Sequence, residues 1–186
     1  MTAQDTVPES EVTQAFVQQA RELLKNGYLP KIKRCLESLT DEQVWWRANP
    51  ESNSIGNLLL HLSGNARQWI VSGLGGEVDQ RERQHEFDER STIPRAELLS
   101  ALEQTLNDVD RILAGFEPER ILDHRKIQGN KVTPLEAIFH VTEHFSMHTG
   151  QIILLTKLLT ATDLRFYDFE AGAPVERWRS GPSGGS

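Results

Sequence analysis

The sequence predicts an all-α protein, namely a four-helix bundle with long connections and a mixed C-terminal tail. Apolar residues recur at three- and four-residue steps in four long segments, which is the period of a helix that buries one face. Residues typical of helix starts precede these segments, and strand-like alternation is weak. Four helices joined by connections of variable length are typical of a bundle.

The first helix is expected to start at Ser10, as its N-cap, and to run to Leu39. Gly27 and Pro30 lie in the middle of this segment and predict a kink or a one-turn break. The next residues, Thr40–Pro50, are expected to form a loop. Its two tryptophans either cover the mouth of a pocket or, as we favour, fix the loop to the helices by aromatic packing. They are Trp45 and Trp46.

Ser54 is the expected N-cap of the second helix, which runs to about Val71 and ends in a glycine-rich turn. The charged stretch Glu77–Arg90 is expected to be a solvated loop or a short helix. Thr92, with a proline in the first turn after it, is expected to open the third helix, which continues to about Leu113.

The last helix has the clearest predicted start. Thr133 and Glu136 form a capping-box pattern, and Pro134 occupies the first helical position between them. The apolar periodicity continues to about Leu159. The tail from Ala161 is mixed in character.

Length and composition indicate one domain. The chain has 186 residues, of which 38% are hydrophobic and 25% charged, and is expected to form a single domain over residues 1–179, followed by a flexible end at 180–186. No apolar run approaches the roughly 20 residues that cross a bilayer, and the polar start lacks the layout of a signal peptide. The single cysteine, Cys35, excludes an internal disulfide framework and is expected to be buried. We therefore expect a cytoplasmic protein.

The charge balance excludes some classes of partner. A net charge of −7 argues against non-specific binding to nucleic acid or to an anionic membrane surface. The chain also has no basic stripe of the kind that follows a nucleic-acid backbone. We expect no nucleic-acid partner and no membrane partner.

Three histidines recur at four-residue steps in the last predicted helix, at His140, His144 and His148. Residues at this spacing share one helix face, so neighbouring imidazoles can bind one metal ion. On a helical wheel, His144 and His148 fall inside the apolar arc that faces the core, and His140 lies at its edge. Burying an unpartnered polar group costs about 1–3 kcal/mol, which a metal ion would offset. The alternative is a hydrogen-bonded pair in the core or plain helix surface, without a metal.

A third ligand would have to come from another helix. His61 belongs to the second predicted helix and lies at the border of its apolar face, so periodicity does not choose it decisively. His85 and His124 lie in predicted loops and are expected to face solvent.

These motifs resemble the DinB-like superfamily of metal-binding four-helix bundles (DinB/YfiT-like metalloenzymes), and most closely an uncharacterised branch of it. The shared pattern is one histidine on the second helix, here His61, and His-x-x-x-His followed by Gly-Gln on the last helix, here His144 and His148. The resemblance extends from about Phe16 to Leu159. It implies a metal site formed by His61, His144 and His148.

The resemblance also implies a divalent cation, most often zinc or nickel, and a homodimer. Characterised relatives include transferases and isomerases that use a low-molecular-weight thiol as cosubstrate. Thr149 stands where many members have an arginine. If that arginine holds an anionic substrate in other members, the role is not expected here.

Three neutral histidines leave the full charge of the ion on the site, which favours a bound anion. The leading hypothesis is a transferase that presents a small-molecule thiolate to an electrophilic small-molecule substrate, in detoxification or stress response. A first alternative is a metal-dependent hydrolase that uses metal-bound hydroxide. A second is a metal-binding dimeric protein without catalysis.

Other polar residues are candidates for contacts with the ligands or the substrate, and each could equally make a plain interhelical hydrogen bond. No general base is obvious, since Glu143 points away from the ligands. The outer face of the last helix carries apolar residues and predicts a homodimer through this helix. The candidates for contacts are Asn57, Asn65, His140 and Gln151, and the outer apolar residues are Phe139, Ile153 and Leu154.

Overall fold

Helices make up most of residues 7–169 and 172–178, the part of the chain that this computed structural model describes. The predicted all-α class is confirmed over this part, where the strands are short and form two antiparallel pairs. In chain order the elements are α1 (Glu9–Glu22), a π-helical turn (Leu23–Tyr28), α2 (Leu29–Glu37), α3 (Asp41–Val44), α4 (Ile55–Ala66), a second π-helical turn (Arg67–Ser72), α5 (Arg83–Asp88), α6 (Arg95–Ala114), a 3-10 turn (Pro118–Arg120), β1 (Arg125–Ile127), β2 (Asn130–Val132), α7 (Pro134–Thr160), β3 (Tyr167–Asp168) and β4 (Val175–Glu176).

The predicted interruption of the first helix is present, but it takes the form of a π-helical turn between α1 and α2. Pro30 lies in the first turn of α2 and has no N–H to donate to the carbonyl of Asn26, four residues earlier. That carbonyl instead accepts a hydrogen bond from Trp178 Nε1, at 3.3 Å. The chain therefore stays helical through the interruption and uses the freed carbonyl to bind the C-terminal tail.

Three predicted boundaries are wrong. Ser10 lies inside α1, which begins at Glu9 after Pro8 without a side-chain cap. Thr92 makes no cap either, because Pro94 directly precedes α6 and its own fixed backbone angle starts the helix. Part of the expected loop is the short helix α3, since Thr40 forms a capping box with Gln43.

Two predicted helix starts are confirmed. Ser54 forms a capping box with Asn57 at the start of α4, and Thr133 forms one with Glu136 at the start of α7. The charged stretch was expected to be a solvated loop or a short helix, and the structure has a short helix there, α5. The expected flexible end at residues 180–186 lies outside the described residues.

Trp45 fixes the connection between α2 and α4 to the helices. Its Nε1 donates a hydrogen bond to the carbonyl of Ile93, at 2.9 Å, and its ring lies against Gly56 on α4. A Cβ at Gly56 would lie 2.8 Å from a ring carbon, so a glycine is required for this contact. The neighbouring Trp46 is 40% exposed. Trp45 therefore fixes the loop to the helices by aromatic packing, which is the alternative that we favoured.

The longer helices share the core. α4 packs against α6 and α7, α2 packs against α7, and α1 packs against α6. α4 is buried on most of its faces because small and aliphatic residues follow one another from Ile55 to Leu62. Within the described residues, no helix has the length and apolar character that crossing a membrane requires.

Cys35 is fully buried, as expected from the sequence, and burial raises the pKa of its thiol to about 11. The thiolate is the reactive form, so the folded protein near pH 8 should react with an aromatic disulfide reagent far more slowly than the unfolded protein. Absorbance of the released thiol measures both rates. Rapid stoichiometric reaction of the folded chain would contradict this prediction.

Candidate metal centre

Three histidines from two helices meet where α4 packs against α7. They are His61 on α4 and His144 and His148 on α7, and one ring nitrogen from each lies within 4.8 Å of the others. His61 Nε2 and His144 Nε2 are 2.8 Å apart. The centroid of the His148 ring lies 5.2 Å from that of His61 and 4.4 Å from that of His144. The group could hold a metal ion.

The local structure explains why these side chains meet. His144 and His148 are one turn apart on α7 and point toward the same side of the helix. His61 lies at the border of the apolar face on a helical wheel, yet it is only 4% exposed, because α5 and α7 both pack against α4. The burial of His61 therefore depends on contacts between helices and could not be predicted from the periodicity of α4.

His148 provides a test of whether a metal fits. Its Nδ1 donates a hydrogen bond to Gln151 Oε1, at 2.6 Å, which leaves Nε2 as the nitrogen with a free lone pair. That Nε2 is buried and has no hydrogen-bond partner among the described residues. A buried polar atom without a partner is costly, and a divalent cation would supply the partner that it lacks. The residues present therefore fit a metal ion.

The two histidines of α7 are held in the uncharged form that binds metals. Burial, together with the neighbouring rings of His148 and His61, lowers the pKa of His144 to about 3. Burial also lowers the pKa of His148. Both rings are neutral near pH 7, so a cation can bind them without first displacing a proton.

Three of the other candidate residues lie beside the triad, the group formed by His61, His144 and His148. Gln151 bonds His148, as described above. Asn65 Nδ2 donates to His140 Nε2, at 3.0 Å, and the His140 ring stacks against His144 with centroids 5.2 Å apart. The indole of Trp69 covers the His140 ring, with centroids 4.2 Å apart. His140 therefore lies at the margin of the triad and takes part in a separate hydrogen bond.

Asn57 has a different role from its neighbours. Its amide oxygen accepts hydrogen bonds from the backbone and hydroxyl of Ser54 and from Arg47. Its amide nitrogen donates to the carbonyls of Glu86, at 2.8 Å, and Glu89, at 3.2 Å. Asn57 thus ties the start of α4 to α5.

Two residues of the site were not predicted from the sequence, and both lie in the charged stretch that was expected to be a solvated loop or a short helix. His61 Nδ1 donates to Glu86 Oε2, at 2.8 Å, and Arg81 bonds both oxygens of the same carboxylate, at 2.7 and 2.9 Å. The side chains of Glu86 and Arg81 are only 11% and 5% exposed. Burial raises the pKa of Glu86, but the hydrogen bonds from His61 and Arg81 outweigh it, and the net effect lowers the pKa below its ordinary value.

One signal in the sequence could have pointed to this pair. Gly64 lies on α4 one turn after His61, and a Cβ there would collide with the Glu86 carboxylate. A glycine inside a helix is unfavourable and indicates a close approach by another group. The identity of that group cannot be read from the glycine itself.

The remaining histidines face solvent, as expected. The side chain of His85, on α5, is 77% exposed and pairs with Glu82, the residue directly before that helix. His124 is also exposed. Glu143 is exposed on α7, in agreement with the expectation that it points away from the ligands.

The comparisons with known proteins give a family and a fold. A family model described as "Protein of unknown function (DUF1572)" matches residues 11–172. A crystal structure of a conserved protein from Enterococcus faecalis is similar, with a TM-score of 0.62, over 84% of this chain and 100% of that chain. The two sequences are 15% identical, so this likeness shows the fold alone. No curated protein sequence matches the chain.

Removing any one of the three histidines should weaken zinc binding by more than about 100-fold. Losing a residue that only hydrogen-bonds a ligand typically costs 10–100-fold, and losing a ligand costs more. We expect this of His61→Ala, His144→Ala and His148→Ala in a competition titration of Zn²⁺ against a coloured chelator.

The matched control is His85→Ala, which removes an exposed histidine and should leave the affinity unchanged. Equal affinities for the wild type and the His144→Ala variant would contradict the assignment of the site.

Proposed function

We propose that the chain, which belongs to the DUF1572 family, is a divalent-metal-dependent enzyme that presents a small-molecule thiolate to an electrophile. The observation that carries the proposal is the group of three histidines with one unpartnered, buried ring nitrogen. Three uncharged nitrogen ligands leave coordination positions for exchangeable ligands, as catalytic sites require. We propose His61, His144 and His148 as the ligands and zinc or nickel as the metal.

The proposal includes membership of the DinB-like superfamily and its architecture. We propose that four long helical segments form a four-helix bundle in a single domain. The contacts of α4 with α6 and α7, of α2 with α7 and of α1 with α6 support this arrangement. The segments are α1 with α2, α4 with its π-helical turn, α6, and α7.

The polar residues around the triad support thiolate chemistry. When bound, a divalent cation lowers the pKa of a coordinating thiol enough to deprotonate it. Attack of a thiolate on an electrophile then needs no further base. The Glu86 carboxylate, which contacts His61, is therefore not needed as a base, and it already accepts hydrogen bonds from His61 and Arg81. Gln151 and Glu86 orient the ligand rings and thereby keep their free lone pairs together.

The acidic balance of the chain, with a net charge of −7, supports a small-molecule substrate in preference to nucleic acid or an anionic membrane. A cytoplasmic location remains part of the proposal, on the basis of the single cysteine.

Activity tests separate the proposed reaction from its alternatives. Protein purified without a histidine tag and loaded with Zn²⁺ or Ni²⁺ should catalyse the conjugation of a low-molecular-weight thiol to monochlorobimane, measured by fluorescence. The His144→Ala variant should lose this activity, and the His85→Ala variant should keep it.

Hydrolysis of an activated ester without added thiol would favour a hydrolase instead. Stoichiometric metal without turnover in either assay, over a panel of thiols and electrophiles, would favour a metal-binding protein without catalysis.

We also propose a homodimer through the outer face of α7. Phe139, Leu154 and Leu158 are 60%, 58% and 67% exposed, which is unusual for large apolar side chains on one helix. Ile153, which the sequence also placed on this face, is partly buried against the core.

Light scattering at micromolar concentration should give twice the 21.1 kDa mass of one chain. The Leu154→Glu variant should give the mass of one chain, because a charge would have to be buried at the interface. A monomeric mass for the wild type would contradict the dimer.

A further inference from the structure

We propose that Glu86 is a positioning residue of the metal centre. Its carboxylate holds the proton of His61 on Nδ1, so that the lone pair of Nε2 is directed toward His144 and His148. The inference rests on the proposed metal site but can be tested separately, because the position of the His61 proton is measurable without any metal.

The side chain of Glu86 is largely buried, whereas neighbouring side chains in α5 and directly before it are exposed. The side chains of Glu82 and His85, on the same short segment, are 69% and 77% exposed, whereas that of Glu86 is 11% exposed. A buried carboxylate requires partners, and Glu86 has two of them. Arg81 forms a bidentate ion pair with it, with Nε 2.7 Å from Oε1 and Nη2 2.9 Å from Oε2.

The second partner is the candidate ligand His61, whose Nδ1 lies 2.8 Å from Oε2. An ionised carboxylate can only accept, so at this contact the imidazole donates from Nδ1. The guanidinium Nη2 of Arg81 also lies 3.1 Å from His61 Nδ1, but both of these nitrogens have their shorter contact with Oε2. The carboxylate is the acceptor that both groups share.

Further contacts with α4 and with the chain around Glu86 fix the position of its carboxylate. Asn57 Nδ2 holds the carbonyl of Glu86 at 2.8 Å, and the Phe87 ring lies against the His61 ring with centroids 4.7 Å apart. Gly64 leaves space for the carboxylate, because a Cβ there would collide with it. Arg81 is held in turn by Gln68 Oε1, at 2.9 Å. A simple ion pair between Arg81 and Glu86 would not need the contacts to α4.

The chemical consequence concerns the tautomer of one ring. A neutral imidazole has one N–H and one lone pair, and the group bound to one nitrogen decides which of the two the other nitrogen presents. A carboxylate on Nδ1 selects the form with a lone pair on Nε2 and makes that nitrogen a stronger donor to a metal. His61 Nε2 is the atom that lies 2.8 Å from His144 Nε2, inside the triad.

Glu86→Gln tests this role with little change of shape. Glutamine has one oxygen, which the charged Arg81 should take, and its NH₂ would then donate to His61 Nδ1 and move the ring proton to Nε2. Imidazole nitrogen chemical shifts of the metal-free, ¹⁵N-labelled full-length chain report the tautomer. We expect Nδ1–H for His61 in the wild type and a shift toward Nε2–H in the variant, with Zn²⁺ affinity lowered about 10–100-fold.

Two further variants separate positioning from a general loss of structure. Glu82→Gln removes an exposed carboxylate from the residue directly before α5 and should change neither measurement. Gly64→Ala keeps the Glu86 side chain but displaces its carboxylate, and it should change both measurements in the same direction as Glu86→Gln. If circular dichroism shows that Glu86→Gln does not fold, Gly64→Ala decides the question.

The possible results have distinct meanings. His61 protonated on Nε2 in the wild type would overturn the inference. So would folded Glu86→Gln and Gly64→Ala variants with an unchanged tautomer and a Zn²⁺ affinity within about twofold of the wild type. If the wild type binds no Zn²⁺ but its His61 proton moves from Nδ1 in these variants, the positioning role stands and the proposed function fails.

Discussion

The contact between α4 and α7 buries the imidazole rings of His61 and His148 and half-buries that of His144. The polar residues around these rings compensate for the burial. Two ring nitrogens on the outside of the group have acceptors, Glu86 for His61 and Gln151 for His148. The inner Nε2 of His148 has none among the described residues. Rings whose outer nitrogens are bonded to a carboxylate or an amide, with other ring nitrogens facing one another, are an arrangement that histidine ligands of metals commonly have.

The second constraint is the way α5 is attached. Asn57 belongs to the capping box that starts α4, and its amide nitrogen binds the carbonyls of Glu86 and Glu89. One side chain therefore joins a helix start to the segment that supplies the carboxylate for His61. Three residues of α4 therefore determine the position of the Glu86 carboxylate, namely Asn57, His61 and Gly64. The charged stretch is thereby part of the site.

Local patterns predicted a large part of this structure. The capping boxes at Ser54 and Thr133 involve residues three apart, so the sequence alone identified two helix starts, and helical spacing placed His144 and His148 together. Glu86 was missed because its burial depends on His61, 25 residues away, and on space left by a glycine on another helix. His61 itself was selected by family resemblance, since the periodicity of α4 left it at a border. Contacts between elements decide such cases, and no local pattern contains them.

X-ray absorption at the metal edge of tag-free, Zn²⁺-loaded protein tests the central claim most directly, because it counts the imidazoles bound to the ion. Three histidine ligands predict imidazole nitrogens at about 2.0–2.1 Å, with a light atom from solvent or buffer completing the shell. The outer-ring scattering of imidazole should be strong in the wild type and reduced by one ring in the His148→Ala variant. A spectrum without imidazole scattering, or one unchanged by that substitution, would contradict the account.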